Sequence, residues 1–200
     1  MGYTARCFGC MASLGFRSWP PEDVVRCLAG LGYGAVEWTL SHFNPQSSTE
    51  ELRELVRITE RHGLIPSEVV VQQDYVTPNP SLYEQRVQLT ADCIAAAANA
   101  GIPLINVFTG PAPWDRNAPR LNVDISEGEA WDLVLKAFER LLPLAEQYRV
   151  YLATEVCFGH LCRDYYTLRE LLSHFDSEYL GNTLFSAPEV NNHAGMGIAL

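Results

Sequence analysis

The chain has 200 residues, 48% hydrophobic and 19% charged, with a formal net charge of −10. That balance supports one globular domain with a sizeable core and excludes a disordered chain. The acidity argues against nucleic acid or an anionic membrane as partner, because either needs a basic stripe. No run reaches the ~18 apolar residues that span a bilayer. The amino end lacks the basic-then-apolar pattern of a signal peptide, so a cytoplasmic location is expected. The six cysteines are Cys7, Cys10, Cys27, Cys93, Cys157 and Cys162. Cys7 and Cys10 have CxxC spacing, a redox or zinc half-site on its face. No second CxxC follows, so reduced, mostly buried thiols are expected.

In chain order, residues 5–12 are short and apolar and read as a first strand. Pro20 and Pro21 open a helix, since proline lacks the N–H that would be unpaired in a first turn. Val24, Val25, Leu28 and Leu31 give that helix its apolar face, and Gly32 ends it. Residues 35–39 form the second strand and 67–72 the third, with Gln72, Gln73 and Asp74 at its end. Four helices carry S/T-x-x-E spacing at Ser48/Glu51, Ser81/Glu84, Ser126/Glu129 and Thr167/Glu170. This pattern predicts capping boxes, in which hydroxyl and carboxylate satisfy free amide groups at the helix start. Residues 104–109 form the fourth strand, 151–156 the fifth and 179–185 the sixth.

Strands alternating with helices predict parallel βαβ units. Without a glycine-rich phosphate turn, the pattern favours a TIM (β/α)8-type barrel over a dinucleotide fold. A closed barrel takes ~250 residues. The prediction is therefore one incomplete α/β barrel domain over 1–200, with about six βα units and an irregular stretch at 186–200.

Barrels place their chemistry at the carboxyl ends of the strands. Glu37, Asn106 and Glu155 occupy such ends, and His42 and His160 follow strands two and five. Trp19, Trp38 and Trp114 lie at or just after strand ends, where aromatic faces pack on sugars or simply cap cores. A strand carboxylate needs a metal, a cation or hydrogen bonds. Glu155 is therefore a candidate metal ligand and acid/base group. Its ordinary alternative is a hydrogen-bonded structural carboxylate, as for Glu37. For His42 and His160 the alternative is a solvated loop histidine. His62 and His174, near helix C-termini, read as structural. No GxSxG, Walker or GxGxxG pattern is present, so nucleophilic hydrolysis, P-loop chemistry and dinucleotide binding lack support.

Residues Leu31-Gly-Tyr-Gly-Ala-Val-Glu-Trp38, the run from Ala100 to Pro111 and the run from Leu144 to Glu155 resemble the sugar phosphate isomerase/epimerase family, the xylose isomerase-like TIM barrel superfamily. The resemblance covers about residues 5–184. It implies a divalent metal (manganese, cobalt, magnesium or zinc) held by Glu on strand five, Asp on strand six, His or Gln on strand seven and Glu on strand eight. It also implies a sugar or sugar phosphate as ligand, with the two glutamates moving a proton next to a carbonyl. Glu155 matches the first ligand and the acid/base role. Trp19, Glu37, His42, Asn106, Trp114 and His160 would line the substrate mouth.

The strand-six motif in relatives resembles Leu-Asp-Pro-Ser-His, whereas this chain reads Leu184-Phe-Ser-Ala-Pro188. Phe185 stands where the Asp is expected. The expectation is a barrel truncated after strand six, with metal binding and catalysis impaired and the reading frame lost near Gly181. An alternative is a non-catalytic fragment that pairs its open edges, as in a homo-oligomer. The abasic-site endonuclease branch of the superfamily is a further alternative, disfavoured by the net charge.

Overall fold

The computed structural model describes residues 9–12 and 15–183. Strands and helices alternate as β1 (Gly9–Met11), α1 (Pro21–Gly30), β2 (Ala35–Thr39), α2 (Thr49–Arg61), β3 (Ile65–Val70), α3 (Pro80–Ala100), β4 (Leu104–Val107), α4 (Glu127–Tyr148), β5 (Tyr151–Glu155), α5 (Tyr165–His174) and β6 (Leu180–Thr183). All strands are parallel, in the order β1-β2-β3-β4-β5-β6. Each crossover therefore leads to the next neighbour. The right-handed rule for such crossovers puts the helices on one face. This is the α/β barrel-type architecture the sequence predicts, with about six units. Among the described residues the sheet is open, with β1 and β6 at its edges. Cys7, Phe185, His193 and the predicted irregular stretch at 186–200 lie outside the described residues.

Two of the four predicted capping boxes form as read. Ser48 Oγ accepts from Glu51 N at 3.3 Å, and Ser126 Oγ accepts from Glu129 N at 3.2 Å. The other two are corrected by one turn or less. α3 starts earlier, because Pro80 fits its first turn and Asn79 Oδ1 accepts from Ser81 N at 3.0 Å and Leu82 N at 3.2 Å. Glu84 is instead paired with Arg140 on α4 at 2.8 Å. At α5 the cap is Asp164, whose carboxylate accepts from Thr167 N at 2.9 Å. Asp outranks Thr as a cap, and at α3, where Asn and Ser rank alike, Pro80 in the first turn sets the start at Asn79.

Strand side chains alternate between the helix-facing side and the inner side. Val36, Trp38, Val69, Ile105 and Leu152 point to the helices and form the core. Trp38 is fully buried, and its Nε1 donates to Thr59 Oγ1 on α2 at 3.1 Å. That tryptophan is a core residue and not part of the mouth. Ala35, Glu37, Glu68, Val70, Asn106, Ala153, Glu155 and Thr183 share the inner side through their register. The β2–β3 register shifts after Val36, so Ser67 is an extra residue and Glu37 pairs with Glu68.

Asn79→Ala is expected to cost ~1 kcal/mol and lower Tm by ~2–4 °C, while Ser81→Ala leaves Tm nearly unchanged. Thermal denaturation of the two variants checks this, and the reverse order would restore the cap to Ser81.

Candidate functional site

Parallel pairing gathers chemistry onto the inner side. Glu37 on β2, Glu68 on β3, Asn106 on β4, Glu155 on β5 and Thr183 on β6 all lie there. Asn106 Nδ2 donates to Glu68 Oε1 at 3.2 Å, and Thr183 Oγ1 donates to Glu68 Oε2 at 3.3 Å. Glu68 can reach β6 because the intervening row is small, with Ala153 beside Gly181. Glu37 leans toward β1, where a Cβ on Gly9 would come within 2.8 Å of its Oε1. Asn106 Oδ1 is buried and accepts from no described protein group.

Burial decides the protonation of these carboxyls, because a desolvated carboxylate disfavours its charge. Glu68 is 4% exposed. Burial, reinforced by Glu37, pushes it up to about 8 against the pull of Asn106 and Thr183. Glu155 is 8% exposed. Burial pushes it up to about 7, with Asn106 opposing and Glu37 adding. Burial also raises Glu37.

A second group sits on the loops after β4 and β5. His160 is 1% exposed, and neither ring nitrogen has a described partner. Its ring lies 5.2 Å from those of Phe108 and Trp114, and Phe108 and Trp114 are 5.2 Å apart. Burial pushes His160 down to about 4, so the imidazole is neutral at pH 7. It is not the solvated loop histidine considered above. Trp114 is 55% exposed and presents the aromatic cluster to solvent.

A third group lies by β1 and β2. His42 Nε2 donates to Trp19 O at 3.0 Å, and its ring packs 5.2 Å from Trp38. Trp19 meets Phe16 edge-on at 5.3 Å. No hydrogen bond or ring contact joins this group to the other two among the described residues.

The structure thus brings Glu37, Asn106 and Glu155 together, and separately Trp114 with His160. Glu68, Phe108 and Thr183 were not singled out from the sequence. A charged residue inside the apolar run of β3 was the available signal for Glu68.

The sequence pattern of the xylose isomerase-like TIM barrel family matches residues 25–184. No curated protein matches the chain. Among solved structures, a D-psicose 3-epimerase in the presence of D-fructose is similar, with TM-score 0.72 and 14% identity over 88% of this chain and 62% of that one. A probable 3-DHS dehydratase from Bacillus anthracis has TM-score 0.68 and 16% identity over 90% of this chain and 62% of that one. A xylose isomerase-like TIM barrel protein from Mycobacterium smegmatis, in complex with magnesium, has TM-score 0.62 and 14% identity over 83% of this chain and 57% of that one. The chain therefore spans about three-fifths of the length of each of these proteins.

The residues described here do not fit a divalent metal. No group of three His, Cys, Asp or Glu side chains able to hold one occurs among them, whereas such sites use three or more protein ligands. Of the inner carboxyls, Glu68 takes amide and hydroxyl contacts, from Asn106 and Thr183. No helix of the described residues is long and apolar enough to cross a membrane.

Glu68 and Glu155 keep a proton when folded at pH values where the unfolded chain, with an ordinary value of 4.5, has lost it. That stabilisation is full below about 4.5 and is lost as pH rises through about 7 and about 8. His160, neutral when folded down to about 4 against an ordinary 6.5, works the other way only below 6.5. Tm is therefore expected to fall by at least ~3 °C between pH 6.5 and 8.5, and Glu68→Gln to remove roughly two-thirds of that slope, Glu68 having the higher value. An unchanged slope in Glu68→Gln, followed by calorimetry, would refute the assignment.

Proposed function

The chain belongs to the xylose isomerase-like TIM barrel family, and from that premise we propose that its strand rim binds a polyhydroxylated carbonyl compound of the sugar class, with Glu155 as the acid/base group. The observation that carries this reading is the position of Glu155. It ends β5, is buried, and is pushed to about 7. A carboxyl poised near the working pH can both take and give a proton. Proton removal next to a carbonyl, with return to the same or the adjacent carbon, is epimerase or isomerase chemistry. Asn106, whose carbonyl oxygen has no partner among the described residues, would accept from a ligand hydroxyl. Trp114 would offer a ring face to the apolar side of a sugar, backed by the buried Phe108 and the neutral His160. Trp19, Glu37 and His42 would complete the mouth. The D-psicose 3-epimerase structure was obtained with a ketose present, which supports the substrate class by analogy only.

Metal-assisted turnover is proposed to be impaired in this 200-residue chain. In the intact family a divalent cation supplies Lewis-acid polarisation of the carbonyl. Here Glu155 stands without two further metal-type ligands among the described residues. What remains is the carboxyl's own proton exchange.

A second reading is favoured by the open sheet. β1 and β6 have no closing partner among the described residues, and unpaired edges recruit other chains. A non-catalytic, edge-paired homo-oligomer follows from that, with no activity required.

Incubation with D-fructose and other ketoses in D2O, followed by proton NMR, separates the two. Deuterium is expected to enter at the carbon next to the carbonyl faster than without protein. Glu155→Gln is expected to slow that exchange ~100-fold, and added manganese or a chelator to change it less than ~2-fold. Absence of exchange in the unaltered chain, together with a concentration-dependent oligomer in sedimentation, would sink the acid/base reading and leave the second.

A further inference from the structure

The loop after β3 carries a buried carboxylate that the proposed chemistry does not use. Asp74 is 2% exposed. Its Oδ1 accepts from Arg86 Nη1 on α3 at 2.9 Å and from Val76 N at 2.9 Å. Its Oδ2 accepts from Ala112 N, in the loop after β4, at 3.0 Å. The carboxyl is pressed against Gly110, where a Cβ would come within 2.5 Å of it. Gly110 also has φ +89°, so two independent constraints require glycine there.

The connection continues into the loop after β5. Gly110 O accepts from Leu161 N at 2.7 Å, and Thr109 Oγ1 accepts from Cys162 N at 3.0 Å. Gly159, at φ +85°, leaves space for Pro113, whose Cβ would lie 3.1 Å from an added Cβ. Leu161 follows His160 directly, and Trp114 lies two residues beyond Ala112. The Trp114–His160 contact is therefore built on segments that meet at Asp74 and Gly110. A second tie runs beside it, with Phe108 N donating to Gln73 O at 3.2 Å and Gln73 Nε2 donating to Thr90 Oγ1 at 2.8 Å.

We propose that Asp74 is the positioning residue of the rim: by binding Arg86, Val76 and Ala112 at once, it locks the loops after β3, β4 and β5 into one body and so holds Trp114 over His160. A buried carboxylate with three donors is rigid because each lost partner leaves a desolvated group unpaired. Burial pushes its carboxyl above the ordinary range even beside Arg86, which gives the lock little tolerance for losing a donor. Such a supporting contact is what fixes a ring that has no hydrogen bond of its own, as His160 has none among the described residues. The purpose of the lock rests on the sugar-site reading above. Its existence does not, and the test needs no ligand.

The test is chemical access to His160. Diethyl pyrocarbonate modifies accessible neutral imidazoles, and peptide mass spectrometry reads each histidine separately. In the unaltered chain His160 is expected to react at least ~10-fold more slowly than His174, which is exposed on the last turn of α5. In Asp74→Ala the His160 rate is expected to rise ~10-fold while that of His174 stays constant and melting remains cooperative. Asp74→Asn keeps an acceptor oxygen and is expected to fall between the two. If Asp74→Ala does not fold, Arg86→Met carries the same comparison, since it removes one of the three donors and keeps most of the stem. A merely structural Asp74 would lower Tm without changing the ratio of His160 to His174 reactivity, and that result in a folded variant overturns the proposal. If the deuterium exchange fails while His160 becomes exposed in Asp74→Ala, the lock stands and the sugar-site reading falls.

Discussion

Desolvation of carboxyl groups on the inner side of a parallel sheet is the constraint around which the rest of this molecule is arranged. A strand residue that faces inward leaves water whether or not it is charged. Three glutamates do so here, at Glu37, Glu68 and Glu155. Their neighbours are shaped to tolerate them. Gly9 leaves space for Glu37. Ala153 and Gly181 leave room for Glu68 to cross to Thr183. Asn106 shares its amide between the needs of Glu68 and Glu155. Burial without a charged partner among these contacts favours the protonated form, which is why all three carboxyls are raised. The same physics that stabilises the proton on Glu155 brings its pKa close to neutrality.

The helix side follows a simpler rule. Apolar residues at period two on strands meet apolar residues at helical spacing, and the one polar atom of Trp38 finds Thr59. Asp74 marks where the two regimes meet. It is as deeply buried as the core, yet it is ionisable, and Arg86 with two backbone amides satisfies it. Its cost of burial is thereby turned into rigidity of the rim loops, which otherwise have long irregular paths. Loops that carry aromatic side chains over a site need such anchoring, because a loose loop spreads its side chains over many positions.

The order of elements was legible because each helix announces its own start and each strand is a short apolar run. β2 matches its reading residue for residue, and the caps at Ser48 and Ser126 follow from local chemistry alone. The caps at Asn79 and Asp164 were missed because two candidate caps lay within one turn, and Pro80 at α3 and the better cap at α5 decided for the earlier residue. Glu155 was legible as the last residue of an apolar strand. Glu68 was not, for a specific reason. Without the extra residue at Ser67, Glu37 would pair with Ser67 and Glu68 would point to the helices. The register shift turns Glu68 inward, and a bulge of this kind leaves no mark in the periodicity. His160 was legible as a loop residue but not as a buried one, because its walls, Phe108 and Trp114, come from a different connection. The lock at Asp74 depends on Arg86, Val76 and Ala112, which are near it only in space.

These features separate two requirements that are often treated as one. A proton-transfer site needs a group whose pKa is near the working pH, and it needs the developing charge on the substrate oxygen to be stabilised. The first requirement is met by one strand-end carboxyl, because burial, with Glu37 adding, is what raises Glu155. The second requires several donors converging on one point, and convergence is a property of a whole rim. On the inner side Asn106 and Thr183 both already serve Glu68, and Thr39 Oγ1 donates to Ala12 O. The poise of Glu155 therefore rests on burial, while the inner-side donors just named are engaged with Glu68 and with the β1 end. Acid/base poise and charge stabilisation are thus separate demands on a rim, the first set by the burial of one carboxyl and the second by how many donors converge on one point.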